Sequence, residues 1–307
     1  MVSGWYHKGT GVTLASDGRC PKDPEVPLAQ RQPTKGVRIS VADWDADFAN
    51  TYRHLLLVEP TVDGNGNGTY RPLRTGGGES LHAGGMAWYG DYLYVADTSG
   101  GLRVFDFRRI YQVDTGSATA VGRQSDGSYQ AFNYGYVLPQ VGRITSKTGS
   151  LRFSFTTVDR GPASATKALV VGEYAVDDAT AATKSRVARF PFAADSRLVT
   201  GADGRTVTAA AAYNTGYRQM QGVAAYDGSY WFSVSDGCRG GTVASHYGTL
   251  RHWNSKTGRA VSYPWAFGPE DLSYWHDPAA GQADYLWTQT EYANYRAVVA
   301  VPQADWD

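Results

Sequence analysis

Apolar and polar positions alternate with a period of two through much of the chain, in short runs broken by glycine, asparagine and aspartate. This is the pattern of half-buried β-strands joined by tight turns. The clearest case is Asp91 to Phe107, DYLYVADTSGGLRVFDF. Aromatic and β-branched residues at Tyr92 to Val95 predict one strand, Asp97 to Gly101 a turn, and the alternation from Leu102 to Phe107 a second strand. Gly85 to Tyr89 (GMAWY) predicts a short strand upstream, joined through the turn pair Gly90-Asp91, and Ile110 to Val113 predicts a fourth downstream.

The second strand of this module recurs as HLLLVE (from His54), ALVVGE (from Ala168), YWFSVSD (from Tyr230) and YLWTQTE (from Tyr285). Third strands follow at Thr69, Ser185, Thr249 and Tyr295, and first strands precede at Leu151, Gln221 and Asp271. A degenerate copy, YVLPQVGRIT (Tyr136 to Thr145), carries Pro139, which predicts an edge or irregular strand. Four-stranded units repeating at roughly 40 residues predict an all-β fold, a single β-propeller. Dividing 307 residues by a blade of roughly 40 to 45 residues favours seven blades, with five or six as the lower counts.

Residues 1–36 have little periodicity, and the Pro-rich stretch from Pro24 to Gly36 predicts an extended surface arm. Residues 37–307 form the predicted propeller. The chain ends AVVAVPQADWD without a fourth strand, so an N-terminal strand, GVTLA (Gly11 to Ala15) or Val37 to Val41, is expected to close the ring. The Ala-rich region from Ala193 to Tyr213 predicts an outer strand with an extra one, or a short helix.

Composition narrows the function classes. Lysine plus arginine and aspartate plus glutamate balance at 29 each, which argues against nucleic acid or an anionic surface as the main partner. No apolar run reaches the roughly 18 residues of a membrane span. Few lysines and many Gly, Thr, Ser, Tyr and Trp fit a secreted protein, likewise a monomer, with any leader already removed. Cys20 and Cys238 could form a disulfide, worth about 4 to 5 kcal/mol in the chain-entropy model, or stay as free thiols.

Each clear repeat ends its second strand in an acid, with an arginine early in the third. These are Glu59 and Arg71, Asp97 and Arg103, Glu173 and Arg186, Asp236 and Arg251, and Glu291 and Arg296. They read either as a carboxylate ring able to hold a metal or a sugar, or as a repeated salt bridge across each turn, which the matched arginines favour. Residues at the starts of the first strands vary from repeat to repeat, as a binding site that breaks pseudo-symmetry does. They are His82, Arg152, Arg218, Gln219, Gln221, Glu270 and Asp271, a candidate ligand mouth or a hydrated lining. Glu270 and Asp271 beside His82 are the residues that general acid–base catalysis would use. Asp63, Asn65 and Asn67 match the first half of a calcium loop, but Arg74 stands where its last carboxylate belongs. Asp43, Asp45 and Asp47 form a second weak calcium candidate, and no other cofactor is implied. Nucleophile and zinc signatures are missing. Among the aromatics, Trp5, Tyr6, Tyr247 and Tyr292 in loops could stack on sugars or pack at edges.

The segments HAGGMAWYGDYLYVADTSGGLRVFD and YGYVLPQVGR resemble those of a group of Streptomyces-type secreted propeller proteins, among them inducers of dispase autolysis. The resemblance implies an extracellular role: binding a metalloprotease and being cross-linked by transglutaminase, here at Gln30 and Gln32 on the arm. The favoured expectation is therefore a secreted, non-catalytic propeller binding extracellular proteins or cell-wall glycans. The alternative is a propeller glycoside hydrolase or lyase using Glu270, Asp271 and His82.

Overall fold

The computed structural model describes residues 2–6, 35–43, 51–76, 81–147, 151–162, 166–235, 247–276, 283–290 and 296–306. The fold is all-β, and the chain divides into two compact units, Met1–Thr10 with Val26–Ile144, and Gly11–Glu25 with Thr145–Asp307.

The first unit contains β1 (Val2–Tyr6), β2 (Val37–Ala42), β3 (Tyr52–Val62), β4 (Gly68–Pro72), β5 (Met86–Tyr89) and β6 (Tyr92–Asp97). It continues with β7 (Gly101–Asp106), β8 (Tyr111–Gln112), β9 (Val121–Arg123), β10 (Tyr129–Ala131) and β11 (Tyr136–Ser146). Its main sheet runs β1-β2-β3-β11-β7-β6-β5. All neighbours are antiparallel except β3 and β11, which pair parallel with Val137 opposite Leu56. All residues of β6 and β7 are buried, as a strand covered on both faces requires. Val37, Ile39, Leu55, Leu57, Leu93 and Phe105 join in one core, each side chain contributing about 1.5 to 3 kcal/mol by leaving water.

Three expectations change here. The stretch from Tyr136 to Thr145 is not a degenerate module. It is part of one long strand whose partner switches at Pro139, from β3 to β7, with a bulge between Gln140 and Gly142. Proline donates no ladder hydrogen bond, so it sits where the ladder changes hands. The predicted fourth strand, Ile110 to Val113, shortens to β8 and pairs with β11, because a turn of 3-10 helix at Phe107–Arg109 bends the chain after β7. Of the two candidate closing strands, Val37 to Val41 is instead an inner strand of this sheet, paired with Val2–Tyr6 on one side and with β3 on the other, while Gly11 to Ala15 lies outside the described residues.

The second unit is closer to the predicted repeat. It contains β12 (Phe155–Asp159), β13 (Ala168–Gly172), α1 (Asp178–Lys184), β14 (Arg186–Pro191), β15 (Thr206–Val207), β16 (Ala211–Asn214), β17 (Met220–Tyr226) and β18 (Ser229–Val234). Next come β19 (Tyr247–Asn254), β20 (Ala260–Phe267), β21 (Pro269–Trp275), β22 (Tyr285–Thr290) and β23 (Val298–Pro302). They form antiparallel sheets in the orders β12-β13-β14-β16, β17-β18-β19-β20 and β21-β22-β23. The second strand of each sheet is the most buried and the last the most exposed: β13 is buried throughout, whereas β16 and β23 alternate between half-buried and exposed. In the Ala-rich region β16 is the outer strand, and the helix instead connects β13 to β14, capped by Asp177 accepting from the Thr180 N–H at 2.8 Å.

The first strands β12, β17 and β21 pack on one another. Gly222 early in β17 lies against Asp271 early in β21, and Tyr226 at the end of β17 stacks on Tyr274 near the end of β21, so these two run in one sense. Gly222 is required there, since a Cβ would stand 2.5 Å from Asp271 Cα and from Leu272 N. Asp227 and Gly228, with φ of 52° and 88°, form the two-residue turn between β17 and β18, the left-handed pair that matches the twist of a hairpin.

Candidate functional site

The acid–arginine pairs are salt bridges wherever both partners are described. Glu59 stands directly opposite Arg71 across β3 and β4, with Arg71 Nη2 3.0 Å from its carboxylate. Asp97 accepts from Arg103 Nε at 2.8 Å and Arg143 Nη2 at 3.1 Å, while Arg103 also donates to Gln140 at 3.0 Å and to the Arg74 carbonyl at 2.7 Å. This buried node ties β6, β7 and β11 to the loop after β4. Glu173, 0% exposed, is gripped by Arg186 Nε at 2.6 Å and Nη2 at 2.7 Å, and accepts from the Arg152 N–H at 2.9 Å. Burial pushes its pKa up, and the guanidinium and backbone donors more than offset that, so the carboxyl titrates below the usual glutamate range. Asp236 and Glu291 lie outside the described residues. Arg251 donates to Ser262 at 3.3 Å and lies 4.6 Å from the Tyr217 ring centre, and Arg296 precedes β23 at the surface.

Of the residues predicted for a ligand mouth, Gln221, Glu270 and Asp271 stand together where β17 packs on β21. His82 belongs to the first unit and the other six to the second. Gln219 is buried with φ of 55°, its N–H donating to the Ala175 carbonyl at 2.7 Å. Gln221, Glu270 and Asp271 sit where the ladders of β17 and β21 slip register, between Met220 and Gly222 and between Pro269 and Leu272. An extra residue at a bulge re-aims side chains, which gives their variation a backbone cause. Arg218 pairs with Asp178 at 3.6 Å, both well exposed, and Arg152 is exposed beside Glu173. Gln30, Gln32, Cys20, Cys238, Asp45, Asp47 and Tyr292 lie outside the described residues. Asp63 accepts from the N–H groups of Asn65 and Asn67, both at 2.9 Å, and from Asn67 Nδ2 at 3.2 Å. Those bonds, the Asn67 backbone first, hold its pKa down, and Arg123 stands 3.6 Å away. The would-be calcium carboxylate thus closes a hairpin turn.

A further cluster of titratable and aromatic groups in the second unit lies towards the opposite ends of β17 and β21. His252, Trp231, Tyr274, Tyr226 and His276 form a ladder of five rings, with successive centres 4.9, 5.3, 4.5 and 5.2 Å apart. Asp284 accepts from the Tyr274 hydroxyl at 2.5 Å and contacts His276 Nδ1 at 2.8 Å. Burial, and then the charges of Asp227, Asp284 and Asp159, raise the Tyr226 pKa. No spacing rule finds this cluster, because its members come from four strands and loops remote in sequence. The one available signal was that YDG and YWHD end equivalent strands.

Beside the cluster a cleft of ≈ 430 Å³ opens between the β12–β16 and β17–β20 sheets. The two sheets pack through Val170, Val187, Val223, Phe232 and Tyr230. Towards the ends of β13 and β14 the series gives way to Ala168, Ala211 and Pro191, too small to fill the gap. Asp159 at the end of β12 is fully buried, pairs with Arg189, and accepts from the Gly161 N–H at 3.0 Å. Burial opposes the Arg189 charge, but Asp159 and the Tyr230 hydroxyl outweigh it and raise its pKa. Tyr213, Tyr230 and Trp253 pack mutually with ring centres 5.0 to 5.8 Å apart, and the first two border the cleft. Asp227, Ser255 and Lys256 form its rim.

No protein-family model and no curated protein matches the chain. Among solved structures it is similar to the tail fiber of Staphylococcus aureus phage P68, at 10% identity and a TM-score of 0.35 over 87% of this chain and 47% of that one. It is also similar to the Dos1 propeller, at 9% identity and a TM-score of 0.32 over 83% of this chain and 62% of that one. A third is the computationally designed Ika4 protein, at 9% identity and a TM-score of 0.27 over 73% and 93%. The chain spans about half the length of the tail fiber. None of these likenesses assigns a function.

Proposed function

We propose that the chain is a secreted, non-catalytic binding scaffold of the β-propeller kind, seven-bladed and closed by an N-terminal strand, whose partners are cell-wall glycans or extracellular proteins. The repeated order of the β12–β16, β17–β20 and β21–β23 sheets, with their first strands packed together, supports the architecture. The observation that carries the non-catalytic reading is the state of the buried acids. Among the described residues Asp97, Asp106, Asp159 and Glu173 are buried, and each is held by an arginine. Glycoside hydrolysis needs one carboxyl free to give up a proton and a second to act opposite it; a guanidinium partner keeps an acid ionised and occupied. Cross-linking at Gln30 and Gln32 rests on the sequence resemblance alone.

The test combines co-sedimentation with insoluble plant and bacterial cell-wall glycans and an assay of reducing ends released from the same material. Retention without release is the expected result. Release that disappears in Glu270→Gln would overturn the reading in favour of a hydrolase.

A further inference from the structure

The cleft between the two sheets has the makings of a ligand site, and its charge says which class of ligand. Its volume falls in the range of sites for small molecules, about 300 to 1,000 Å³. The alanines give a smooth apolar floor, while Tyr213 and Tyr230 supply ring edges and Thr166 and Ser255 hydroxyls. Apolar ring contact beside convergent hydroxyl-binding groups is what a sugar presents surfaces for.

The charges are unevenly matched. Asp159 compensates Arg189. Asp227 lies so close upon Gly161 that no Cβ would fit between them, which turns its carboxylate towards the end of β12. Lys167, between two residues at the cleft edge, gives its ammonium to the carbonyls of Arg160 at 2.6 Å and Gly161 at 3.0 Å. Lys256 projects over Gly228 at the rim, its backbone N–H bonded to Asn254 at 3.0 Å, and its ammonium forms no ion pair with a described residue. Of the two cations lining the cleft, Arg189 is matched by Asp159, and Lys256 is the exposed one. We infer that the cleft binds a saccharide bearing a carboxylate, a uronic acid-type sugar, with the ring against Tyr213 and the carboxylate on Lys256. This rests on the proposed binding function and adds the site and the ligand class.

The probes are trigalacturonate and its methyl ester, which share the sugar backbone and differ in whether the carboxyl groups are charged, titrated calorimetrically into the full chain. Trigalacturonate is expected to bind, with affinity falling about tenfold for the ester and for Lys256→Met, as loss of one charge-assisted contact implies. Added salt should weaken the wild type but not Lys256→Met. Lys256 is exposed, so the variant keeps the fold. Ala210→Trp, at an exposed residue of the cleft edge, should abolish binding of both probes. Equal binding of acid and ester would overturn the charge assignment while leaving a glycan-binding scaffold intact. Binding that survives Ala210→Trp would overturn the cleft as the site. If neither probe binds, the inference falls, and co-sedimentation with other glycans decides the broader reading separately.

Discussion

Replacing Arg186 by methionine should separate a structural acid from a catalytic one. The exchange keeps most of the side-chain volume and removes the guanidinium that grips Glu173 at 2.6 and 2.7 Å. Glu173 would remain fully buried, with only the N–H groups of Arg152 and Arg186, at 2.9 and 3.1 Å, to replace its hydration. Breaking a buried ion pair from one side costs about 3 to 5 kcal/mol. The two surviving donors point to the lower end, about 3 kcal/mol. At roughly 2 to 4 °C per kcal/mol for a unit of this size, the thermal midpoint at pH 7 should fall by roughly 6 to 12 °C. The pH dependence supplies the sharper reading. In the wild type the folded-state pKa of Glu173 is depressed, so its contribution is present above the unfolded pKa and is lost as pH falls through the folded one. In the variant burial dominates and raises the folded pKa, so protonation relieves the penalty and the deficit shrinks as pH falls from 7 towards 5. Thermal melts of both proteins across that range measure it. A deficit below about 1 kcal/mol, or one independent of pH, would refute the argument that Glu173 depends on Arg186.

Two other outcomes follow from the packing. Gly222→Ala should lower stability by about 2 to 3 kcal/mol, because the new methyl meets the backbone of Asp271 and Leu272 at 2.5 Å, whereas Gly64→Ala, with open space around it, should be nearly silent in the same chemical denaturation. The Tyr70 phenol, which donates to the Gln130 carbonyl at 2.8 Å, has a pKa pushed up to about 12 by burial and then by Tyr129 and Asp114. Its raised pKa stabilises below the unfolded value near 10 and the benefit is lost as pH rises towards 12; Tyr70→Phe should flatten that alkaline loss in pH-jump melts, and an unchanged slope would contradict it.

The strands of the second unit were legible in the sequence because each buries its own alternating or continuous apolar run, a local property. The first unit was less so. Tyr136 to Ser146 reads as one more strand, but its parallel pairing with β3 depends on residues about eighty positions earlier, which no local pattern encodes. The acid–arginine pairs were legible because a hairpin brings its own members together: Glu59 with Arg71, Asp97 with Arg103 and Glu173 with Arg186. At the predicted ligand mouth, variation at Gln221 and Asp271 accompanies a slip in the ladder, which no local pattern shows. Asp159 with Arg189, and Tyr274 with Asp284 and His276, escaped notice because they join separate strands and loops.

The ladder of rings has a consequence for spectroscopy. Tyr274 is sandwiched between Trp231 and Tyr226, with planes inclined by only 23° and 20°. Ring currents from both neighbours should carry its aromatic protons well upfield of an ordinary tyrosine. A half-turn of the phenol about its axis requires β21 to draw away for an instant from the sheet that carries Trp231 and Tyr226. The exchange broadening of that single resonance therefore times how often neighbouring sheets breathe, without any label attached to the protein.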